Sequence, residues 1–371
     1  MSSIDTDIAA MRAVIQRIAT GPELSKDLSQ EQAENAMRLV LEQKVDPVQA
    51  AIFLIALRMK RETDEENSGV LRAIRQASRH QTAAVDELVD IFEPYNGYIR
   101  SLPMSAFVPC VLAASGLPAY SHGVECVGPK YGVTQQQVYT AAGMSVSSTV
   151  QEAAEQLTNP EIGWAYLSQA QFCPSLAALA ELRHKMVKRS VLTTVEGMAG
   201  AIEARVKTHL VTGYVHKAYP RIYLELAKEM AYDSALVLRG VEGGIIPSLR
   251  QSAKFHRFAE DEFNAGELDP VSAGVDSSAR AVNIPEEFEG IDGLSMSSTQ
   301  REQLAEAVLN KGLAVLACRE KGLARHALIY SAAIILWHCG RAESLASGGQ
   351  LASQAIDSGE AERRFLAVSK S

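Results

Sequence analysis

The chain has 371 residues, 47% of them hydrophobic and 22% charged, which is the make-up of a globular protein with about two to three domains' worth of chain and excludes a mainly disordered or collagen-like one. With 36 Lys and Arg against 44 Asp and Glu, the net charge is −8. That excludes a uniformly basic nucleic-acid coat but leaves room for a local basic face on an acidic body.

The first eighty residues read as helices with clear start signals. Ser29 with Gln32, Asp46 with Gln49 and Thr63 with Glu66 each have capping-box spacing, in which the first side chain accepts from free helix N–H groups and the third-following one reaches back. Pro47 follows Asp46 at the first helical position, where a missing N–H costs nothing. Ala50, Phe53, Leu54 and Leu57 then form one apolar stripe at helical spacing. From about Leu88 the pattern changes. Predicted strands at Leu88–Phe92, Pro118–His122, Gly163–Leu167, His209–Val215 and Ala235–Arg239 alternate with predicted helices at Met104–Ser115, Gln135–Gly143, Val150–Thr158, Ser175–Val187 and Ile222–Tyr232. This alternation argues for an α/β domain with a central, mostly parallel sheet behind an N-terminal helical domain. Residues 250–297 are polar with little period and read as a long loop. Helices at Ser298–Lys311 and His326–Cys339 and a third after Leu345 close the chain.

The five cysteines, Cys110, Cys126, Cys173, Cys318 and Cys339, make no CxxC pair, so neither a disulfide framework nor a zinc pattern is expected, and a reducing cytoplasm is. The start, MSSIDTDIAAM, has acids where a signal peptide has bases. The longest apolar run, Ala327 to Trp337, is too short to span a bilayer and is interrupted by Ser331. No membrane segment is expected.

The stretch DLSQEQAENAMRLVLEQKVDPVQAAIFLIALRMKRET resembles the helical domain of anthranilate phosphoribosyltransferases. The resemblance continues in order through VDIF, SAFVPCVLAASGLPAYSHG, LAELRHKMVKR and the closing SAAIILWHCGRAESLASGGQLASQAIDSGEAERRF. It implies the glycosyltransferase family 3 fold, with a helical domain over 1–82, an α/β domain over 83–371, a cleft between them, and 172–200 packing on the helical domain. A homodimer joined through the helical domain is also implied.

An active member holds a ribosyl donor with a pyrophosphate and a 5′-phosphate, which calls for Gly-rich loops whose N–H groups bind anions. Where the family carries GTGGD after the first strand, this chain reads EPYNG, Glu93–Gly97, with one glycine kept and an acid where phosphate would sit. Where it carries HGNRSVSSKSGS, this chain reads HGVECVGPKYGV, His122–Val133, and no serine is kept. The residual donor-site matches are Asn96, Gly97, His122, Gly123 and Lys130. The carboxylate pair that holds Mg²⁺ in the family becomes Ile245-Ile246, and aliphatic side chains cannot ligate a hard cation. Glu242 is the nearest substitute. No catalytic residue, metal ligand or Mg²⁺ requirement is therefore expected.

What remains is a local reversal of charge. Arg183, Lys185, Lys188 and Arg189, with Lys207 and Lys217 beyond, are the candidate phosphate contacts for DNA or RNA. Arg183 also matches the family arginine that contacts the aromatic acceptor. The expectation is a homologue with degenerate donor and metal sites, not active in tryptophan biosynthesis, and a binder of nucleic acid, another polyanion or a small phosphorylated ligand. The alternative is an active glycosyl- or phosphoribosyltransferase with altered substrate, in which Lys130 binds phosphate and Arg183 orients an acidic acceptor.

Overall fold

The structure is a computed structural model that describes residues 3–21, 23–260 and 262–368; the ends of both expected domains, at 1–2 and 369–371, lie outside the described residues. Four helices come first: α1 (Ser3–Ile18), α2 (Gln30–Leu41), α3 (Pro47–Lys60) and α4 (Asp64–Ala77). Ser29/Gln32 and Thr63/Glu66 close reciprocal capping boxes. At Asp46 only half of the motif forms, with the carboxylate accepting from the Val48 N–H at 2.8 Å. Glu66 extends its capping role: fully buried, it also accepts from Leu28 N and pairs with Lys60, tying α4 to the segment before α2.

The strands are β1 (Gln81–Thr82), β2 (Glu87–Phe92), β3 (Ala119–Gly123), β4 (Trp164–Ser168), β5 (Ile202–Glu203), β6 (Lys207–Gly213), β7 (Ser234–Leu238), β8 (Ala253–Ala259) and β9 (Glu262–Leu268). β1 and β5 form a small parallel pair, and the main sheet has the order β4-β3-β2-β6-β7-β8-β9. Its first five strands are parallel and its last two antiparallel. The parallel strands are buried on both faces, as crossover helices require. On β2, Val89 and Ile91 enter one core, and Leu88 and Phe92 enter the other. The first core is shared with α5 (Val108–Ala114), α6 (Gln135–Ala141) and the C-terminal helices. The second is continuous with the helical domain and α7 (Val150–Thr158).

The segment expected as one helix at 175–187 is broken. After α8 (Gln169–Phe172) come two short helices, α9 (Pro174–Ala177) and α10 (Ala180–Met186), and then α11 (Leu192–Val195). Residues 250–297 are not a loop throughout. They contain the β8–β9 hairpin, which completes one edge of the sheet. Ala253, Phe255 and Phe258 alone are buried on β8, and β9 is almost wholly exposed, so neither carries a continuous apolar run. Beyond α12 (Tyr219–Glu229), the chain ends in α13 (Ser298–Leu316), α14 (Leu323–His338), α15 (Leu345–Asp357) and α16 (Glu360–Val368), one helix more than expected. Among the described residues no helix is long and apolar enough to cross a membrane.

Candidate functional site

In the main sheet β2 and β6 are neighbours, while the chain runs outward from β2 through β3 and β4 on one side and from β6 to β7 on the other. That reversal leaves a crevice beyond their carboxyl ends, the usual ligand position in open α/β sheets. A cleft of about 370 Å³ lies there, between Phe92 at the end of β2, Thr212 and Gly213 at the end of β6, and Tyr219 and Tyr223 of α12. Arg58 of α3 reaches over from the helical domain to bond the Tyr219 hydroxyl at 2.5 Å.

The loop after β2 explains the floor. Gly97 has φ +71°, and a Cβ there would lie 2.4 Å from the Gly132 carbonyl oxygen. The backbones of 96–98 and 132–133 are joined by Gly132 N to Asn96 O and by Tyr98 N to Val133 O, both at 2.9 Å. Gly97 and Gly132 therefore serve loop-to-loop contact. Asn96 is buried and lines the cleft.

Glu93 corrects an expectation. Its carboxylate does not face a phosphate position. It turns inward, accepting from Ile245 N at 2.9 Å and from the Tyr98 hydroxyl. Burial pushes its pKa up to about 7, against the lowering effect of those bonds.

The anion at the cleft floor is Glu242. It sits at φ +53° in the tight turn after β7, where Gly244 packs against Tyr98 so closely that no side chain fits. Its carboxylate accepts from Ile99 N at 3.2 Å, Arg100 N and Ser101 N at 2.9 Å each, and Ser101 Oγ at 3.0 Å. Lys130 Nζ lies 2.6 Å away and over the Tyr98 ring. Three successive N–H groups and a lysine form an anion nest, and the chain's own carboxylate fills it. Burial disfavours both charges. It leaves Lys130 below the usual lysine value, whereas Lys130 and the amides more than offset burial at Glu242 and hold it below the usual carboxylate value. The residues present do not fit Mg²⁺ here: Ile245 is fully buried in the core and the oxygens of Glu242 are already engaged. Among the described residues no group of three or more His, Cys, Asp or Glu could hold a metal ion.

The six candidate phosphate contacts do not share one face. Arg183 is 8% exposed and makes a bidentate pair with buried Glu196, at 2.6 and 2.7 Å. Lys185 is exposed but paired with Glu181 one turn away. Lys207 opens β6, at the end of the strand opposite the cleft, roughly 20 Å away at strand rise. Lys188, Arg189 and Lys217 are exposed at or near the mouth with no carboxylate partner among the described residues, and Arg189 lines the cleft. Arg100, which sequence reasoning passed over, lines it too and is equally unpaired. Its only sequence signal was a cation three residues after Gly97.

His122 is likewise not a donor contact. It is 4% exposed, with Nε2 at 2.9 Å from Asp90 and Nδ1 at 2.5 Å from the Tyr95 hydroxyl. Asp90, fully buried, also accepts from Tyr120 at 2.5 Å and Tyr232 at 2.7 Å. This network braces the wall behind Tyr95. Gly123, at the end of β3, faces the Tyr166 hydroxyl.

Two family descriptions match this chain: "Glycosyl transferase family, helical bundle domain" over residues 12–78 and "Glycosyl transferase family, a/b domain" over 99–362. An anthranilate phosphoribosyltransferase of Novosphingobium aromaticivorans is 26% identical over 338 residues, covering 91% of this chain and 94% of the relative. An uncharacterized protein of Aquifex aeolicus is 24% identical over 323 residues, covering 87% and 91%. In structure, anthranilate phosphoribosyltransferase of Thermus thermophilus superposes with a TM-score of 0.71 at 21% identity, covering 98% of this chain and 99% of that one. The Saccharomyces cerevisiae enzyme in complex with PRPP and Mg gives 0.74 at 15%, with the same coverage. The helical bundle, the mostly parallel sheet and these matches over most of the chain place it in the glycosyl transferase family whose members join a helical bundle domain to an α/β domain.

Proposed function

We propose that this chain is an anthranilate phosphoribosyltransferase homologue that does not carry out phosphoribosyl transfer and that binds a nucleic-acid phosphate backbone at the mouth of its cleft. The observation that supports the first half is Glu242 in the nest of residues 99–101, paired with Lys130. A diphosphate entering there meets a carboxylate already bound to the donors it needs. The second half draws on Arg100, Lys188, Arg189 and Lys217, exposed and without carboxylate partners among the described residues. No Mg²⁺ dependence is part of this reading. A coupled fluorescence assay with anthranilate, the phosphoribosyl donor and Mg²⁺ is expected to show no turnover. Robust Mg²⁺-dependent turnover, lost in Lys130→Ala, would refute the proposal and favour the altered-substrate transferase, which the unpaired Arg100 and Arg189 in an aromatic-walled cleft would suit. Fluorescence anisotropy is expected to show DNA or RNA binding that falls steeply with salt. On duplex DNA, Lys188→Ala/Arg189→Ala is expected to flatten the log–log salt slope by about 0.9 for each phosphate no longer neutralised.

The proposal includes a homodimer. Helix α3 buries Phe53, Leu54 and Leu57 and also presents a second apolar stripe, with Val48, Ile52 and Met59 65%, 37% and 75% exposed. A helix of that kind belongs inside an assembly, and two-fold closure is the commonest one. Light scattering at micromolar concentration is expected to give a dimer, and Ile52→Lys/Met59→Lys a monomer. Five free cysteines suit a reducing cytoplasm.

A further inference from the structure

A second cleft, of about 420 Å³, lies beside the first and shares Arg100, Tyr214, Val215 and Glu242 with it. Three arginines border it: Arg100, Arg239 at the end of β7, and Arg280 in the segment after β9. All three are exposed, and none of their guanidinium groups has a hydrogen-bond or carboxylate partner among the described residues. The one carboxylate in the wall, Glu242, is held by Lys130 and the amides of 99–101. Elsewhere the wall offers neutral groups such as Ser248, Gln251 and Ser252.

The arginines are brought together by paired backbone. Ser101, beside Arg100, bridges to Asn283; Gly240, beside Arg239, bridges to Pro247. Leu249 N donates to the Arg280 carbonyl at 3.0 Å, and Leu102 N to Val282 O at 2.8 Å. Three like charges are thus held around one cleft by paired backbone on a chain of net charge −8. A bound anion would relieve the repulsion that solvent only screens. The fork of a guanidinium matches the two oxygens of a phosphate.

We propose that the cleft bordered by Arg100, Arg239 and Arg280 is a phosphate-binding site, taking a phosphate or diphosphate group of either a free phosphorylated metabolite or a nucleic-acid strand. The strand version rests on the preceding reading; the site itself does not. Two probes separate the sources: inorganic pyrophosphate by titration calorimetry, and a labelled single-stranded oligonucleotide by anisotropy at several salt concentrations. Each is run on the full-length wild type, Arg239→Ala/Arg280→Ala and Lys188→Ala/Arg189→Ala, with thermal melts confirming that the variants fold. The arginine variant is expected to weaken binding about tenfold or more, the loss of at least one charge-assisted hydrogen bond. For the oligonucleotide its log–log salt slope is expected to flatten by about 1.4, at about 0.7 per single-strand phosphate. Weakening of pyrophosphate alone assigns the site to a free phosphorylated molecule; weakening of the oligonucleotide assigns it to the strand. If the wild type binds pyrophosphate through these arginines but no nucleic acid, the preceding reading fails and this site stands. If the arginine variant matches the wild type with both probes, or the wild type binds neither, the inference is overturned; oligonucleotide binding abolished only in the lysine-arginine variant would then leave the preceding reading standing without it.

Discussion

The two ends of the same parallel strands solve the burial of polar groups in opposite ways. At the carboxyl ends two buried cations are each answered by an opposite charge, Arg183 by Glu196 and Lys130 by Glu242, while Glu93 is held by neutral donors, the Ile245 N–H and the Tyr98 hydroxyl. At the amino ends the buried groups are neutral. Ser234 Oγ sits between His209 Nδ1 at 2.7 Å and His338 Nε2 at 2.9 Å, joining β6, β7 and α14. Burial pushes both imidazoles below their ordinary value, His338 furthest, with His209 and Arg257 adding to its shift. Glu87, 3.7 Å from His209, is drawn off by Arg341. A hydroxyl can bridge two uncharged rings by donating to one and accepting from the other; two imidazolium ions would both have to donate to it, with two like charges close together in a buried place. The amino end is therefore built on neutral groups, whereas the carboxyl end keeps the Arg183 and Lys130 charges, whose desolvation their close partners offset.

The contrast can be broken at its strongest point first. Glu196→Ala leaves the guanidinium of Arg183 buried and unpaired, a loss of about 3 to 5 kcal/mol, while Arg183→Met/Glu196→Leu is expected to recover most of it. Urea unfolding checks both, and a single variant as stable as the wild type would show that the pair is not desolvated. A pH series gives the next largest effect. Glu93, with its pKa at about 7 in the fold against an ordinary 4.5, holds its proton longer folded than unfolded. Its share of stability is therefore present at acid pH and is lost as pH rises from 4.5 to about 7, a swing of roughly 3 kcal/mol. Glu93→Gln is expected to remove that swing. The histidines run the other way. The unfolded chain takes up protons below about pH 6.5 that the folded chain refuses, so stability falls as pH drops, by up to about 1.4 kcal/mol per unit for each ring. His338→Gln is expected to flatten the acid side only. Parallel pH curves for the Glu93 and His338 variants would dissolve the contrast between the two ends.

Much of the fold was legible in the chain itself. Helix starts at Ser29 and Thr63 are local, since the cap and its reciprocal partner lie three residues apart. The parallel strands announced themselves as short apolar runs because both their faces are covered. The expectation of altered Gly and Asp-Glu motifs at 93–97 and 245–246 could be formed from the chain alone because each segment is contiguous. The β8–β9 hairpin was missed because its outer face is wet.

The cleft itself depended on contacts that no local pattern carries. Arg183 and Lys188 look alike in LRHKMVKR, but one is buried against Glu196 and the other lies in solvent. Glu242 looked like a stray carboxylate until the turn after β7 set it against amides 141 to 143 residues earlier in the chain. Arg100, Arg239 and Arg280 share no motif and meet only because the loops after β2, β7 and β9 pair their backbones. Composition, caps and apolar period determined the elements and their class, because those signals act over a few residues through hydrogen bonding and side-chain burial. Which charges are cancelled and which stand free was decided by tertiary structure, because a charge is set by whatever the fold brings within about 4 Å of it.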